Sequence, residues 1–542
     1  MIRILLFLML ATPSFQFLMA QTANFRPVPP PKLVIGIVVE NMRPDYIERY
    51  WEQFGNNGFK KLYSRGTVVA NMKMAQHMQN YASGTATLFT GVYPGFHGIV
   101  DAVWYDRLRS REVQAVTDDY YFTVGADSKS GNASPRKLLT TTIGDNLKLA
   151  TLNRAKVFTV AMNAESAILA AGHAADGAWW FDPVSGRMIS SSFYVSNFPE
   201  WARDFNMVSQ GEKYSGRNWV TLHHESVYSA SLADNHPLEA GYNGRDNTFP
   251  HALGRLVRRA ESFAPIKTTP YANTIVREFA AALMMNEGVG NDAIPDLITL
   301  FFSSMDYENN SFGPASREMQ DLYLRLDEEI AQLITFAEEK FGRDDVVFFL
   351  TANTSASYPV NFLKETFRMP VGDFNLESTF ALLNSFLNIT FGEERWIEHL
   401  SGNQVYLDRR LIERMGIDLK AMQLSIAEFI TQFEGVKAAL PSYNLEQYPV
   451  YNGPLAALYR TYMMSRSGDV LYMLNEGWQP THRFRRLNYT DQIHIPLVFY
   501  GARINSGIIT EPFEAIDLAP TLSEIMQIPM PDKSIGRAIP GL

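Results

Sequence analysis

Side chains that could do chemistry stand beside the apolar runs of this sequence, namely Glu40, Asp306, Asn353, Thr354 and His494. Carboxylates and imidazoles are typical zinc ligands, and hydroxyl groups can act as nucleophiles when a base or a metal activates them. Four of the five follow an apolar run, and His494 precedes one. Because ligand sites of open α/β sheets lie at the carboxyl ends of the strands, we expect these side chains to share one site.

The apolar runs themselves predict buried strands, because they are continuous rather than alternating. They span Leu33–Val39, Val157–Met162, Asp296–Phe302, Val346–Thr351 and Ile495–Tyr500. Helical spacing of apolar residues is found at Asp45–Leu62 and at Glu318–Phe341. Strands that alternate with helices indicate an α/β fold with a doubly wound, mostly parallel sheet and helices on both faces.

Two long segments interrupt this alternation, at residues 182–291 and 357–480. Insertions after strand ends in sheet enzymes usually cover the site, so we expect both segments to form caps. The first is rich in aromatic residues, which suit either a recognition surface or the core of a cap. We therefore predict one domain from residue 32 to residue 542 with two inserted caps.

The first twenty residues have the features of a signal peptide: Arg3, an apolar run at residues 4–11 and a small residue, Ala20, before the cleavage site. A Pro-rich linker occupies residues 21–31. We expect export to the periplasm or the outer membrane of a Gram-negative bacterium. No later run reaches the roughly 18 apolar residues of a membrane span. The absence of cysteine excludes a lipid anchor, and no basic cluster suggests nucleic acid as a partner.

Several motifs together resemble one family, the phosphate-irrepressible alkaline phosphatases. They are Thr90–Ile99 (TGVYPGFHGI), Gly172–Asp182 (GHAADGAWWFD), Phe312–Pro314 (FGP), Asp321–Asp327 (DLYLRLD) and Asp517–Leu522 (DLAPTL). That family is close to the nucleotide pyrophosphatase/phosphodiesterases and belongs to the alkaline phosphatase superfamily. The resemblance extends from about residue 32 to the end of the chain, and it implies an alkaline phosphatase-like fold.

The resemblance also implies a reaction, in which two zinc ions activate a threonine for phosphoryl transfer. The position of that threonine corresponds to Tyr81. The asparagine that binds a phosphate oxygen corresponds to Ala102. The family's lysine and arginine correspond to Asn163 and Glu165, so a carboxylate stands where a cation would face phosphate.

The metal ligands implied by the resemblance are mostly replaced. Glu40 stands for an aspartate. Asn310 stands for a histidine, and Asn353 and Thr354 stand for an aspartate and a histidine. Two ligands of one zinc site, Asp306 and His494, are kept. We expect this pair to be a hydrogen-bonded remnant, and we predict no bimetal centre and no cofactor, with zinc held only if the remnant still binds it.

These replacements lead to the hypothesis that the chain is a catalytically inactive member that serves as a binding or scaffold subunit with a protein partner in the cell envelope. The alternative is a metal-dependent phosphomonoesterase or phosphodiesterase with a rebuilt active site. A purely structural envelope subunit is a third possibility. Hydrolysis assays with metal analysis discriminate between the first two.

Overall fold

The computed structural model describes residues 29–77, 80–239, 241–242, 244, 246–304, 312–448, 452–453, 455–480 and 493–542. The predicted signal peptide and residues 21–28 of the predicted linker lie outside these ranges. Within them, no helix is both long enough and apolar enough to cross a membrane.

The described residues between 29 and 191 form nine strands and six α-helices. The strands are β1 (Leu33–Val39), β2 (Thr67–Val69), β3 (Met72–Met74), β4 (Val103–Asp106), β5 (Arg111–Gln114), β6 (Thr123–Val124), β7 (Val157–Ala161), β8 (Gly177–Asp182) and β9 (Arg187–Ser191). The helices are α1 (Asp45–Arg49), α2 (Phe59–Arg65), α3 (Tyr81–Thr90), α4 (Pro94–His97), α5 (Ile143–Ala150) and α6 (Ala164–Ala171).

The middle of the chain is mainly helical. Its helices are α7 (Glu200–Phe205), α8 (Gln210–Ser215), α9 (Leu253–Ala260), α10 (Pro270–Asn286) and α11 (Arg317–Phe341). Its strands are β10 (Asn218–Trp219), β11 (His251–Ala252), β12 (Asp296–Phe302) and β13 (Val346–Thr351).

The last part of the chain alternates shorter elements. Its helices are α12 (Val360–Glu365), α13 (Leu376–Phe391), α14 (Arg409–Arg414), α15 (Leu419–Ile430), α16 (Ser442–Gln447), α17 (Ala456–Thr461) and α18 (Leu518–Met526). Its strands are β14 (Asp373–Phe374), β15 (Ile397–Ser401), β16 (Gln404–Leu407), β17 (Val436–Pro441), β18 (Val470–Leu474), β19 (Gln479–Pro480), β20 (Ile493–His494), β21 (Leu497–Gly501), β22 (Gly507–Ile509) and β23 (Phe513–Glu514).

Ten of the described strands form the central sheet, in the order β22-β2-β21-β13-β1-β12-β7-β8-β9-β6. Its centre, β13-β1-β12-β7-β8, is parallel. The α/β prediction is therefore confirmed. The predicted strand at Ile495–Tyr500 is observed as β21, but it runs antiparallel to β13 and β2, so the sheet is mixed.

Helices cover both faces of this sheet, as the strand register shows. Thr159 of β7 donates a hydrogen bond from Oγ1 to the Ala167 carbonyl of α6, at 2.8 Å. The next residue of β7, Val160, pairs with Trp179 of β8, whose ring contacts Phe279 of α10. Successive residues of a strand point to opposite faces, so α6 and α10 lie on opposite sides. Every residue of β1, β7, β8, β12 and β13 is buried as a result.

The helix predicted at Asp45–Leu62 is wrong as one continuous element. The chain forms α1, a 3₁₀ turn at Trp51–Gln53 and then α2. The break is held by Asp327 of α11, whose carboxylate accepts hydrogen bonds from the amides of Gly55 and Phe59, at 2.8 and 2.6 Å. This distant acceptor satisfies amides that would otherwise be unpaired between the two helices.

Residues 357–480, predicted as a cap, have a hydrophobic core of their own and a four-stranded sheet, β15-β16-β18-β17. A buried ion pair attaches this region to the hairpin β4–β5, because Arg107 binds Asp469 at 2.7 Å. Residues 182–291 are less separate, since α10 packs directly on the central sheet.

One buried cluster joins residues 182–291 to α11. His251 Nε2 and Glu318 Oε1 lie 2.9 Å apart, and both side chains are fully buried. Glu239, near them, is also buried, and neither of its carboxylate oxygens has a hydrogen-bond partner among the residues that the structure describes. Burial raises the pKa of Glu239 to about 8, and the charges of Glu318 and Asp234 add to the rise while Arg317 opposes it. Burial likewise raises the pKa of Glu318 to about 8.

We predict that this cluster makes the folded protein less stable as the pH rises. The folded protein keeps Glu239 protonated up to about pH 8, whereas the unfolded chain ionises it near 4.5. The contribution of Glu239 to the free energy of unfolding is therefore present below pH 4.5 and is lost between pH 4.5 and pH 8. The thermal unfolding midpoint of Glu239→Gln should rise relative to that of the parent protein between pH 4.5 and pH 8. Above pH 8 the difference between the two midpoints should stay constant. The control Glu511→Gln, at an exposed position, should show no such gain. A constant difference for Glu239→Gln from pH 4.5 to 8 would contradict the prediction.

Candidate functional site

The candidate site lies at the carboxyl ends of β1, β7, β12 and β13, where α3 and α6 begin. Of the positions that the sequence singles out, the structure describes Glu40, Asn163, Asn353 and Thr354 as buried. Tyr81 is half-buried. Both faces of the strands are closed by helices, so polar side chains gather at the strand ends.

Glu40 is the centre of a buried hydrogen-bond network. It follows β1 directly and is 1% exposed. Its Oε1 accepts hydrogen bonds from Asn163 Nδ2, at 2.7 Å, and from the hydroxyl of Ser166. Asn163 is the N-cap of α6, and its Oδ1 accepts from the Ser166 amide at 2.8 Å. The side chain of Asn163 therefore begins a helix and holds the carboxylate at the same time.

Helix α3 presents Tyr81 as its first residue. The N-cap Asn80 accepts a hydrogen bond from the Ser83 amide, and the Ser83 hydroxyl accepts in turn from the Asn80 amide. This capping box fixes the start of the helix. The phenol oxygen of Tyr81 accepts a hydrogen bond from Asn41 Nδ2 at 2.6 Å. Tyr81 thus joins α3 to the end of β1.

The end of β13 packs closely against α3. Asn353 donates hydrogen bonds from Nδ2 to Thr85 Oγ1, at 3.1 Å, and to Ser166 Oγ, at 3.4 Å. A methyl group added at Gly84 would lie 1.8 Å from the Asn353 carbonyl oxygen. Among the described residues, Asn353 Oδ1 and Thr354 Oγ1 are buried and have no hydrogen-bond partner. A ligand or a water molecule at this edge could bind these two atoms.

The two remaining positions that the resemblance associates with phosphate binding lie on α6 and beside β4. Glu165 is half-buried in the first turn of α6, where a negative charge is favourable to the helix dipole. Ala102 is half-buried, and its neighbour Asp101 is buried and accepts a hydrogen bond from Asn80 Nδ2 at 2.8 Å. Burial raises the pKa of Asp101 to about 7.

His494, the retained imidazole, is exposed in β20 and pairs with Lys73 of β3. Partial burial and the Lys73 charge lower its pKa. Asp306 and Asn310 lie outside the described residues. The expected hydrogen-bonded pair of Asp306 and His494 therefore stays a prediction.

The donor set of the described residues does not fit a two-zinc centre. Glu40 is already held by Asn163 and Ser166. Asn353 and Thr354 carry neutral side chains, which are poor zinc ligands. Within the ranges that the structure describes, no three His, Asp or Glu side chains gather in a way that could hold a metal ion.

Sequence reasoning missed Asn41 and Ser166, the partners of Tyr81 and Glu40. Ser166 stands three residues after Asn163, a spacing typical of a helix N-cap, and this spacing could have indicated it. The histidines within two of the family motifs have protein partners: His97 Nε2 lies 3.1 Å from Thr87 Oγ1, and His173 Nδ1 lies 3.2 Å from Asp145 Oδ2. Burial lowers the pKa of His97 to about 3.

Comparison with known proteins agrees with this fold, which is that of the alkaline phosphatase superfamily. The chain is 32% identical to alkaline phosphatase PhoV of Synechococcus elongatus, over 94% of this chain and 93% of PhoV. It is 32% identical to alkaline phosphatase PafA of Elizabethkingia meningoseptica, over 94% of each protein. The crystal structure of wild-type PafA has a TM-score of 0.89 at 31% identity, covering 94% of this chain and 99% of that one.

A family model for type I phosphodiesterase / nucleotide pyrophosphatase matches residues 34–494. The chain belongs to this family. The resemblance inferred from its motifs is thereby confirmed.

The hypothesis of a catalytically inactive binding or scaffold subunit is wrong, because the chain matches, over nearly its whole length, relatives that are named alkaline phosphatases. That hypothesis counted each replaced side chain as a lost function. The structure shows that two of the replaced side chains bind each other, since Asn163 donates a hydrogen bond to Glu40. Such a network is consistent with a rebuilt site rather than with an empty one.

We predict that Gly84→Ala destabilises the protein by ~1–3 kcal/mol, because its methyl group would strike the backbone of Asn353 rather than a movable side chain. The matched control is Gly507→Ala in the strand β22, where no atom lies within 4 Å of the added methyl group. The control should change the free energy of unfolding by less than ~1 kcal/mol. Thermal unfolding of both variants checks this, and equal midpoints would contradict it.

Proposed function

We propose that this chain is a phosphatase that hydrolyses phosphate esters at the carboxyl edge of its sheet. The observation that carries the proposal is the full-length match to PhoV and PafA, with a TM-score of 0.89 to the structure of PafA. The site differs from the one that the resemblance implies, so we propose rebuilt chemistry on a shared scaffold.

The site offers donors for a phosphate group. The hydroxyl of Thr354 has no partner within the part of the chain that the structure describes, and it can donate to a phosphate oxygen. The first turns of α3 and α6 point positive ends of helix dipoles at the same edge, which favours an anion. Glu40 and Glu165 are opposing charges: the carboxylate of Glu40 is buried and held by two donors, and Glu165 lies in the first turn of α6. These groups support phosphate binding without the lysine and arginine that Asn163 and Glu165 replace.

We propose further that hydrolysis does not need a two-zinc centre. The support is the donor set, since the described residues provide no group of three metal ligands. No step of the reaction is therefore assigned to a metal ion.

Export to the periplasm or the outer membrane stays a prediction, and so does a protein partner in the envelope. Cell fractionation with an antibody to the mature chain tests the location. Hydrolysis of a phosphate ester requires neither, so the proposal above does not depend on them.

We predict that the purified protein hydrolyses p-nitrophenyl phosphate above the rate without protein, and that the activity follows the protein through size-exclusion chromatography. Bis-p-nitrophenyl phosphate, assayed in parallel, shows whether diesters are also substrates. Incubation with EDTA should leave the activity unchanged, because the described residues form no site with three metal ligands.

Absence of turnover with both esters, with and without added zinc, would overturn the proposed function. Activity that EDTA removes and zinc restores would keep the phosphatase proposal and overturn the proposal of zinc independence.

A further inference from the structure

An open cavity of about 440 Å³ lies against the hairpin of β4 and β5. All four residues of β5 line this cavity, together with Arg109 and residues 117–120 and 136–137. Small-molecule sites in proteins usually have volumes of roughly 300–1,000 Å³. The described residues of the candidate site at the sheet edge are not among the residues that line it, so this is a separate cavity.

Hydrogen bonds hold the walls of this cavity in place. At the base of the hairpin, the Ala115 amide donates to the Ala102 carbonyl at 2.8 Å. The carboxylate of Asp118 accepts from the Ser134 hydroxyl at 2.6 Å and from the Tyr120 amide at 3.1 Å. A site whose walls are fixed before a ligand arrives loses less conformational freedom when the ligand binds.

Positive charge exceeds negative charge along the walls. The cations that line the cavity are Arg109, Arg111, Arg136 and Lys137. The carboxylates that line it are Glu112, Asp118 and Asp119. Four cations against three carboxylates favour an anion as the ligand.

Three pairs account for most of these charges. They join Arg109 to Asp106 at 2.8 Å, Arg136 to Asp118 at 3.5 Å and His399 to Glu112 at 2.9 Å. The other three charged residues, Arg111, Lys137 and Asp119, take part in no ion pair among the described residues. Two cations and one carboxylate are therefore left to meet a ligand.

The two cations differ in their surroundings. Arg111 is exposed, and a guanidinium group can bind a phosphate through two parallel hydrogen bonds. Lys137 is half-buried and donates a hydrogen bond to the Thr117 carbonyl. Burial is the main cause that lowers the pKa of Lys137, because it removes water from the ammonium group. An anion bound beside Lys137 would stabilise its charged form.

Tyr120 adds an aromatic surface to the wall of the cavity. The guanidinium carbon of Arg136 lies 4.8 Å from the centroid of the Tyr120 ring, so this contact covers one face of the ring. Tyr120 is nevertheless 83% exposed. A planar ring of a ligand can stack on an exposed aromatic face, and such stacking tolerates many kinds of ring.

We propose that this cavity binds a nucleoside monophosphate, a small anion that combines an aromatic ring, hydroxyl groups and a phosphate. The ring stacks on Tyr120, and the phosphate binds to Arg111 and Lys137. Asp119 suits the sugar hydroxyls, because a carboxylate accepts hydrogen bonds from them. Binding here makes and breaks no covalent bond, so the proposal does not depend on phosphatase activity.

We predict that isothermal titration calorimetry of the purified protein detects binding of a phosphonate analogue of AMP, in which a methylene group replaces the ester oxygen and prevents hydrolysis. Arg111→Gln should weaken this binding at least ~10-fold, because it removes a charge-assisted hydrogen-bond donor. Tyr120→Ala should weaken it ~5-fold or more, because it removes the stacking face. Both positions are exposed, so the unfolding midpoints should not change.

The matched control is Arg410→Gln, which removes an exposed arginine of α14 and should keep the parent affinity. Adenosine lacks the anion and methylphosphonate lacks the ring, so each should bind at least ~10-fold more weakly than the analogue. Hydrogen exchange in peptides that cover residues 109–120 should slow when the analogue is added to the parent protein, and it should not slow in Arg111→Gln.

Three results would overturn the proposal: no binding of the analogue, unchanged affinity in both Arg111→Gln and Tyr120→Ala, or equally tight binding of adenosine or methylphosphonate. A parent protein that binds the analogue as predicted but hydrolyses no ester would support this inference and overturn only the phosphatase proposal.

Discussion

The central constraint on this structure is that helices cover both faces of the parallel strands. The five strands at the centre of the sheet are buried along their whole length. A buried strand accepts apolar side chains and satisfies its backbone through its neighbours, but it leaves no place for charged groups on its faces. Polar side chains therefore lie at the strand ends. Those at the carboxyl ends of β1, β7, β12 and β13 lie at one edge of the sheet.

At that edge, single side chains serve both the local structure and the site. Asn163 caps α6 through its oxygen and holds Glu40 through its nitrogen. Asn80 caps α3 and also binds the buried Asp101. Because each group has two partners, the starts of the two helices are tied to the site. A substitution at a cap would therefore move the site as well as the helix.

The region of residues 357–480 illustrates a different solution, in which a separate core is attached through charges. Asp469 is fully buried and binds both Arg107 and Arg409 at 2.7 Å. A buried carboxylate with two guanidinium partners is stable only when this geometry is kept. Arg107 belongs to the segment after β4, close to Ala102, so this attachment also orients the chain beside the candidate site.

The sequence by itself determined the class of fold and most of the core strands. The continuous apolar runs predicted β1, β12 and β13 with their observed bounds, because a strand buried on both faces needs no alternation. The motifs at Thr90–Ile99 and Asp517–Leu522 indicated the family, since their residue types and order are specific. The sequence also placed four candidate site residues at strand ends or helix starts, namely Glu40, Asn163, Asn353 and Thr354.

Only the tertiary structure decided how these side chains pair. That Asn163 binds Glu40, across 123 positions of the chain, follows from strand order, which no local pattern contains. The break between α1 and α2 depends on Asp327, far along the chain. The direction of β21 is likewise set by packing, and so is the difference between half-buried Tyr81 and fully buried Thr85. Local residue types determine which elements form, whereas contacts between distant elements decide which groups meet and which a substrate can reach.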